Sequence, residues 1–397
     1  MKVLLVAGGS GGHLIPALTL AEYLRQKQPC VILSTARPID RIVAAASHVE
    51  WETVDLQKFT PLWRWFFPGY ALRQCGAMKG VWRVLRRTRP DVVVGFGGYL
   101  SAVGIMAARL SGVPAVVHEQ NLLPGRANRL LALVADAVGV SFPETKRYLP
   151  RRAVVEVTGN PVRSALKMQD PAEARRFFGF DPALPVLLIM GGSQGSRAVN
   201  ALSLGMWEDL SPEIRRNFQV LHLTGQAEAV AVERAYKNLG VKARVCGFLH
   251  EMETAYSAAT LAVSRAGATT ISEMIALRVP AIFIPYPHAG GHQKANAGWL
   301  QQRGAAVFLD EEGMTSRKLW SEIEALLSAP GRLEKMRESL GACSDGSSVE
   351  RLGALVSKVA VRHAHRERET AARPESEKSA RRESKTPARP EHVKERL

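Results

Sequence analysis

Two doubly wound α/β domains facing a cleft are what this 397-residue sequence predicts, and three observations predict them. A glycine-rich loop of phosphate-binding type occurs twice, about 180 residues apart: Gly8-Gly9-Ser10-Gly11-Gly12-His13 and Gly191-Gly192-Ser193-Gln194-Gly195-Ser196-Arg197. Each loop follows a short apolar run, residues 2–7 and 186–190, and leads into helical spacing. Apolar runs then alternate with helical patterns through both halves, the rhythm of parallel sheets with helices on both faces. One such loop alone often only packs a turn. Two at half-chain spacing imply two Rossmann-like domains, with ligands beyond the carboxyl ends of their strands.

In the first half the strand candidates are residues 3–7, 31–34, 92–94, 115–117 and 137–140, with helical spacing over 14–27, 101–110 and 125–134. In the second half they are 186–190, 219–223, 244–246, 261–264 and 281–284. Thr158-Gly159-Asn160-Pro161-Val162-Arg163 breaks both periodicities, because Gly and Asn-Pro stop helix and strand alike. The expected division is a first domain over 1–158, a hinge over 159–163, a second domain over 164–332 and a closing helical segment over 333–360. Residues 361–397 carry eleven Lys/Arg against seven Glu with few large apolar side chains, and read as a disordered basic tail.

With 46% hydrophobic and 23% charged residues, the chain is of ordinary globular composition and long enough for two cores. No apolar run reaches the roughly 18–20 residues of a membrane span. Lys2 and the apolar residues after it imitate a signal peptide, but the run is short and glycines follow at once, so a first strand is expected. Cys30, Cys75, Cys246 and Cys343 have neither metal-ligand spacing nor a disulfide framework, which fits a reducing cytoplasm and not zinc. A net charge of +16 points to an anionic partner, nucleic acid or membrane surface, and composition does not separate the two. Trp63, Trp65, Phe66 and Phe67 stand among Arg64, Arg73 and Lys79, a mixture suited to the headgroup level of an anionic membrane; a partly buried helix is the plain alternative.

Several polar clusters fall at strand ends. His13 sits where the first loop enters its helix, where a protonated imidazole is disfavoured, so it stays neutral and can accept a proton. The plain alternative is a histidine that caps its turn. Gly97-Gly98-Tyr99 permits close approach of backbone to a ligand, or simply turns the chain. His118-Glu119-Gln120-Asn121 places four hydrogen-bonding side chains after a buried strand, without metalloprotease spacing, since Leu122 stands where a second histidine is needed. In the second half, Ser193 and its neighbouring N–H groups suit phosphate oxygens, and Arg163 adds positive charge. Glu273, one turn into the helix after residues 264–272, suits paired sugar hydroxyls; a first-turn acid interacting with the helix dipole is the plain alternative. His292-Gln293 and Asn296 add groups that bind hydroxyls.

Gly-Gly-Ser-Gly-Gly-His, Gly-Gly-Tyr, His-Glu-Gln-Asn, Gly-Asn-Pro-Val-Arg, Gly-Gly-Ser-Gln-Gly and the run 265–273 stand in the order found in the MurG family, which the chain resembles over about residues 1–360. The resemblance implies a GT-B architecture and an inverting transfer forming a β-1,4 linkage. The donor would be UDP-N-acetylglucosamine and the acceptor lipid I, undecaprenyl-pyrophosphoryl-N-acetylmuramoyl pentapeptide, giving lipid II at the cytoplasmic face of the bacterial membrane. Donor contacts map onto Ser10, Gly11, Gly12, Asn121, Arg163, Ser193, Leu249 through its backbone, Ala268, Thr269, Thr270, Glu273 on the ribose, and Gln293. His13 is the candidate base on the muramoyl 4-hydroxyl, with Glu119, Tyr99 and Asn128 as acceptor-side helpers. Where some members carry Gln-Gln, this chain has His292-Gln293, and the aromatic run at 61–70 has only a loose counterpart. No Asp-x-Asp motif adjoins either glycine loop, so neither a metal nor a cofactor is expected, and the leaving charge falls to Arg163 and N–H groups.

Two other classes compete. A dinucleotide-dependent oxidoreductase would need Gly or Ala at position 14, which is Leu14, and an acid after the second strand, where Ser34-Thr35 stand. A nucleic-acid-binding protein would use the positive charge, but no RNA-binding motif accompanies it, and no nucleic acid is expected. A third possibility keeps the fold and changes the sugar or acceptor.

Overall fold

The computed structural model describes residues 1–45, 47–56, 68–192, 195–288, 290–344 and 346–372. Two parallel sheets organise them. The first holds β1 (Val3–Val6), β2 (Cys30–Thr35), β3 (Glu50–Val54), β4 (Val92–Gly95), β5 (Ala115–Glu119), β6 (Ala137–Val140) and β7 (Val155–Val157), in the order β3-β2-β1-β4-β5-β6-β7. The second holds β8 (Val186–Met190), β9 (Gln219–Leu223), β10 (Lys242–Cys246), β11 (Leu261–Ser264), β12 (Ala281–Phe283) and β13 (Val307–Phe308), in the order β10-β9-β8-β11-β12-β13. Strand order reverses beside β1 in the first sheet and beside β8 in the second. Both glycine loops therefore leave from topological switch points, where open α/β sheets bind ligands.

The helices of the first lobe are α1 (Gly11–Leu24), α2 (Pro38–Ala45), α3 (Pro68–Thr88), α4 (Gly98–Leu110) and α5 (Arg126–Leu131). Those of the second are α6 (Pro171–Phe177), α7 (Arg197–Glu208), α8 (Pro212–Arg216), α9 (Ala229–Asn238), α10 (Met252–Ala258), α11 (Ala268–Leu277), α12 (His292–Gln301), α13 (Ser316–Ser328) and α14 (Arg332–Ala342), followed by α15 (Ser348–Ala372). Alternation along β1 sends Leu4 and Val6 to one face, packed with Val81 and Leu85 of α3 and Ile105 and Ala108 of α4. Val3 and Leu5 face the other way, onto Leu14 and Leu20 of α1. Both faces are covered, which is why these strands read as unbroken apolar runs.

The expected closing segment is two helices with different allegiances. In α14, Leu340 packs into the core of the second lobe. By contrast, α15 returns to the first lobe, where Leu352, Leu355, Val356 and Val359 join Val3, Leu5 and Leu14. Burying each of these four side chains stabilises by about 1.5–3 kcal/mol, more than the accompanying surface pair Lys358–Glu156. The reading of a disordered tail from residue 361 is corrected here: α15 continues to Ala372, supported by the i,i+4 neighbours His363–Glu367 and His365–Glu369. Residues 373–397 lie outside the described residues. Three strands were not anticipated, β3, β7 and β13; all sit at or beside sheet edges, are short or polar, and lack the apolar run of a central strand.

Each lobe buries one histidine completely. His118 on β5 donates through Nε2 to the Gly159 carbonyl at 2.9 Å and accepts from Gln120 at Nδ1. On β9, His222 accepts from the Tyr236 hydroxyl at 2.9 Å and donates to Asn200 Oδ1 at 3.0 Å. Burial pushes their pKa values down to about 4 and about 3. Both are neutral in the fold but protonate in the unfolded chain near pH 6.5. Their contribution is therefore complete above that pH and is lost as pH falls from about 6.5 toward 4. Each should cost its lobe about 2 kcal/mol between pH 7.5 and pH 5. Urea unfolding at those two pH values measures this, and midpoints that do not move would contradict it.

Candidate active site

The first glycine loop is held from below by an acid. After Val6, Gly9 turns at φ +79°, and Ser10, extended, precedes the first turn of α1. The Gly9 N–H donates to Asp40 Oδ1 at 3.1 Å, the Thr35 hydroxyl also donates to this carboxylate, and Arg37 donates to the Gly9 carbonyl at 3.2 Å. Asp40 is buried, so the acid near the end of β2 is turned inward onto the loop. Gly11 is half-buried and Gly12 exposed. Ser10 Oγ lies 3.1 Å from His13 Nδ1. On the other side of the ring Gly97, at φ +102°, approaches so closely that a Cβ there would stand 3.1 Å from Nε2. Burial lowers the His13 pKa, outweighing the negative charge of Glu119 and the Gly8 carbonyl, which raise it. His292 of the opposite lobe adds to the lowering.

All the members of 118–121 are engaged by the protein itself. Glu119 is buried, and its carboxylate accepts from Asn121 N at 2.9 Å, Asn121 Nδ2 at 3.2 Å, Gly125 N at 3.0 Å and Asn128 Nδ2 at 2.8 Å. It organises the 119–128 turn, and its charge reaches His13 through space. Asn128 is buried beside Gly97, its Oδ1 without a partner among the described residues. Tyr99 opens α4 half-buried against the first core. The structure thus gathers His13, Glu119, Gly97 and Asn128 at the carboxyl ends of β1, β4 and β5.

The second lobe supplies the facing wall. Ser193 lies outside the described residues, but its loop is pinned on the far side. Gly195, at φ +75°, crosses the Thr224 carbonyl so closely that any Cβ would overlap it. Ser196 caps α7 at Val199 N and accepts from Arg265 Nη2 at 2.7 Å. Helix α11 begins at Ala268 after Gly267, with no side chain capping its first turn. The Thr269 hydroxyl there is buried without a partner among the described residues. Glu273, 8% exposed, accepts from the Tyr256 hydroxyl at 2.9 Å and stands 3.7 Å from Arg163, in the segment between β7 and α6. Burial raises the Glu273 pKa against the pull of Arg163 and Tyr256. Arg163 Nε is buried and unpartnered among the described residues. This wall thus leaves two buried polar atoms, on Thr269 and Arg163, without a partner among the described residues.

Helix α12 joins the walls. His292 Nδ1 meets the Leu123 carbonyl at 2.7 Å, while Asn296 accepts from Leu122 N at 2.9 Å and donates to Asn121 Oδ1 at 3.1 Å. Gln293 accepts from Tyr286 N at 2.9 Å. Leu249 packs half-buried against the second core. Asp40 and Tyr256 are site-supporting residues that sequence reasoning passed over. An acid a few positions beyond β2 was a readable signal for the first; a tyrosine within a helical pattern carried none for the second.

The glycosyltransferase family 28 N-terminal domain matches residues 3–140 and the family's C-terminal domain matches residues 186–351. An enzyme of Moorella thermoacetica named UDP-N-acetylglucosamine--N-acetylmuramyl-(pentapeptide) pyrophosphoryl-undecaprenol N-acetylglucosamine transferase is 34% identical over 365 residues, 89% of this chain and 96% of its own length. A protein of the same name from Caldanaerobacter subterraneus subsp. tengcongensis is 33% identical, over 90% of this chain and its whole length. Among solved structures, Acinetobacter baumannii MurG superposes with a TM-score of 0.68 at 27% identity, covering 90% of this chain and 99% of that one. A putative UDP-N-acetylglucosamine 2-epimerase from Listeria monocytogenes reaches the same TM-score at 16% identity, over 94% and 98% of the two chains, and shows the shared fold alone. Shape does not choose between these neighbours. Identity sustained through both lobes does, and the chain belongs to glycosyltransferase family 28 and, within it, to the MurG family.

Proposed function

We propose that this protein transfers N-acetylglucosamine from UDP-N-acetylglucosamine to the 4-hydroxyl of the N-acetylmuramoyl residue of lipid I, with inversion, giving lipid II. The observation that carries the reading is the 34% identity over 89% of the chain to an enzyme named for that transfer. The geometry supports it. The second lobe offers Glu273 for the ribose, and Arg163 with the starts of α7 and α11 for the diphosphate. Across the cleft, neutral His13 takes the proton from the acceptor hydroxyl as its oxygen bonds to the anomeric carbon and UDP leaves with the bonding electrons. Asn121 and Gln293, which adjoin the seam, fit the sugar.

The lipid tail of the acceptor requires a membrane face. No described helix is long and apolar enough to cross a membrane. The first lobe exposes Met106 and Leu110 on α4 and Leu130 and Leu133 at α5, with Arg126 and Arg129 beside them. We assign this face to peripheral contact with the cytoplasmic side of an anionic membrane. Trp63, Trp65, Phe66 and Phe67, the residues the sequence offered for that contact, lie outside the described residues. The deciding experiment mixes labelled UDP-N-acetylglucosamine with a lipid I analogue, with and without EDTA. Label should pass to the lipid at equal rates in both. Folded protein that leaves the label on UDP would end this reading, and loss of transfer in EDTA would end its metal-free form.

A further inference from the structure

Glu119 in the first lobe and Glu273 in the second are both buried beside the cleft, and the two are treated differently. Glu119 is saturated: four N–H donors of the protein occupy its oxygens. Glu273 is nearly as buried, yet among the described residues it accepts one hydrogen bond, from Tyr256 to Oε2. Arg163, 3.7 Å from Oε1, is beyond hydrogen-bonding distance. A carboxylate has about four acceptor sites, so Glu273 retains unused capacity on the oxygen facing Arg163. Tyr256 itself is fully buried on α10, its ring in the core formed with Ile271 and Met274 of α11. A phenol locked in this way cannot follow a moving partner, and it dictates which oxygen of Glu273 turns inward.

We propose that Tyr256 is a positioning residue for nucleotide recognition: by holding Oε2 it aims Oε1 of Glu273 at the ribose hydroxyls of the UDP sugar. This rests on the reading of Glu273 given above. The chemistry favours aiming over mere satisfaction of a core hydroxyl. Burying a carboxylate to satisfy one tyrosine would cost more than phenylalanine at that position, unless the carboxylate has other work. Glu253, one turn earlier on α10, raises the Glu273 pKa further as a like charge. The Tyr256 hydroxyl opposes it and favours the ionised acceptor that a diol requires.

The test is steady-state kinetics of Tyr256→Phe in the full chain, with UDP-N-acetylglucosamine and its 2′-deoxy and 3′-deoxy ribose analogues. The wild type should disfavour the deoxy donors at least about tenfold in kcat/KM. In Y256F the KM for the natural donor should rise about five- to tenfold with kcat within about twofold, and the deoxy penalty should shrink by a similar factor. A variant that is merely less stable would keep the penalty, and its melting curve, read in parallel, would show the lower midpoint. A full deoxy penalty surviving in Y256F overturns the proposal alone. No deoxy penalty in the wild type overturns the ribose reading of Glu273 and the proposal with it.

Discussion

His13→Ala is expected to lower kcat by about 10²–10⁴-fold while leaving the KM for UDP-N-acetylglucosamine within about twofold. The imidazole belongs to the first lobe, opposite the wall assigned to the nucleotide, so its loss should spare donor binding. Its pKa is lowered by burial, and Ser10 Oγ beside Nδ1 and Gly97 beside Nε2 fix the ring. A base must be neutral to act, so activity should fall only as pH drops through a value below the usual 6.5 of histidine. That acid limb should vanish in the alanine variant. Initial rates over a pH series, with a soluble lipid I analogue, provide both readings. A turnover number unchanged by the substitution would take the proton-accepting role away from His13.

Glu119→Gln should be nearly as damaging, for a different reason. The substitution keeps the shape but leaves one acceptor oxygen where two served four donors. Either Gly125 N and Asn128 Nδ2, or the two nitrogens of Asn121, would then face an NH₂ group in a buried site. Unsatisfied buried donors cost about 1–3 kcal/mol each, so a loss of about 3 kcal/mol in stability is expected, together with a fall in kcat as Asn121 and Asn128 lose their register. Urea unfolding and initial rates on the same preparation read the two effects. A variant as stable and as active as the parent would show that the four-donor arrangement is dispensable.

Much of this architecture could be read from the chain, and each exception has its own physical cause. Central strands such as β1, β4 and β8 are buried on both faces, and their apolar runs announce them. At the edge, β3 carries Glu50 and Glu52 on a strand with one side open, so its sequence resembles a loop. By composition alone residues 361–372 look like a solvated basic tail, whereas a helix already anchored at Leu352–Val359 extends cheaply through Ala, Arg and Glu. Within the site, His13, Arg163 and Glu273 sit in glycine-bounded motifs and were visible. Asp40 and Tyr256 act through partners 31 and 17 positions away, contacts that local spacing does not encode. Glu119 is visible in the sequence as a polar residue at a strand end, but its spacing does not reveal the four donors of the protein that occupy its oxygens.

The return of α15 constrains how the polypeptide is made. A ribosome releases Val3, Leu5 and Leu14 roughly 340 residues before the side chains that cover them, Leu352 to Val359. The first lobe must therefore wait, with one apolar flank open to water or to chaperones, until α15 swings back. For the same reason a fragment ending just after β7 would be a sticky, incomplete object. A bisected enzyme would need α15 grafted onto the piece that carries the first lobe.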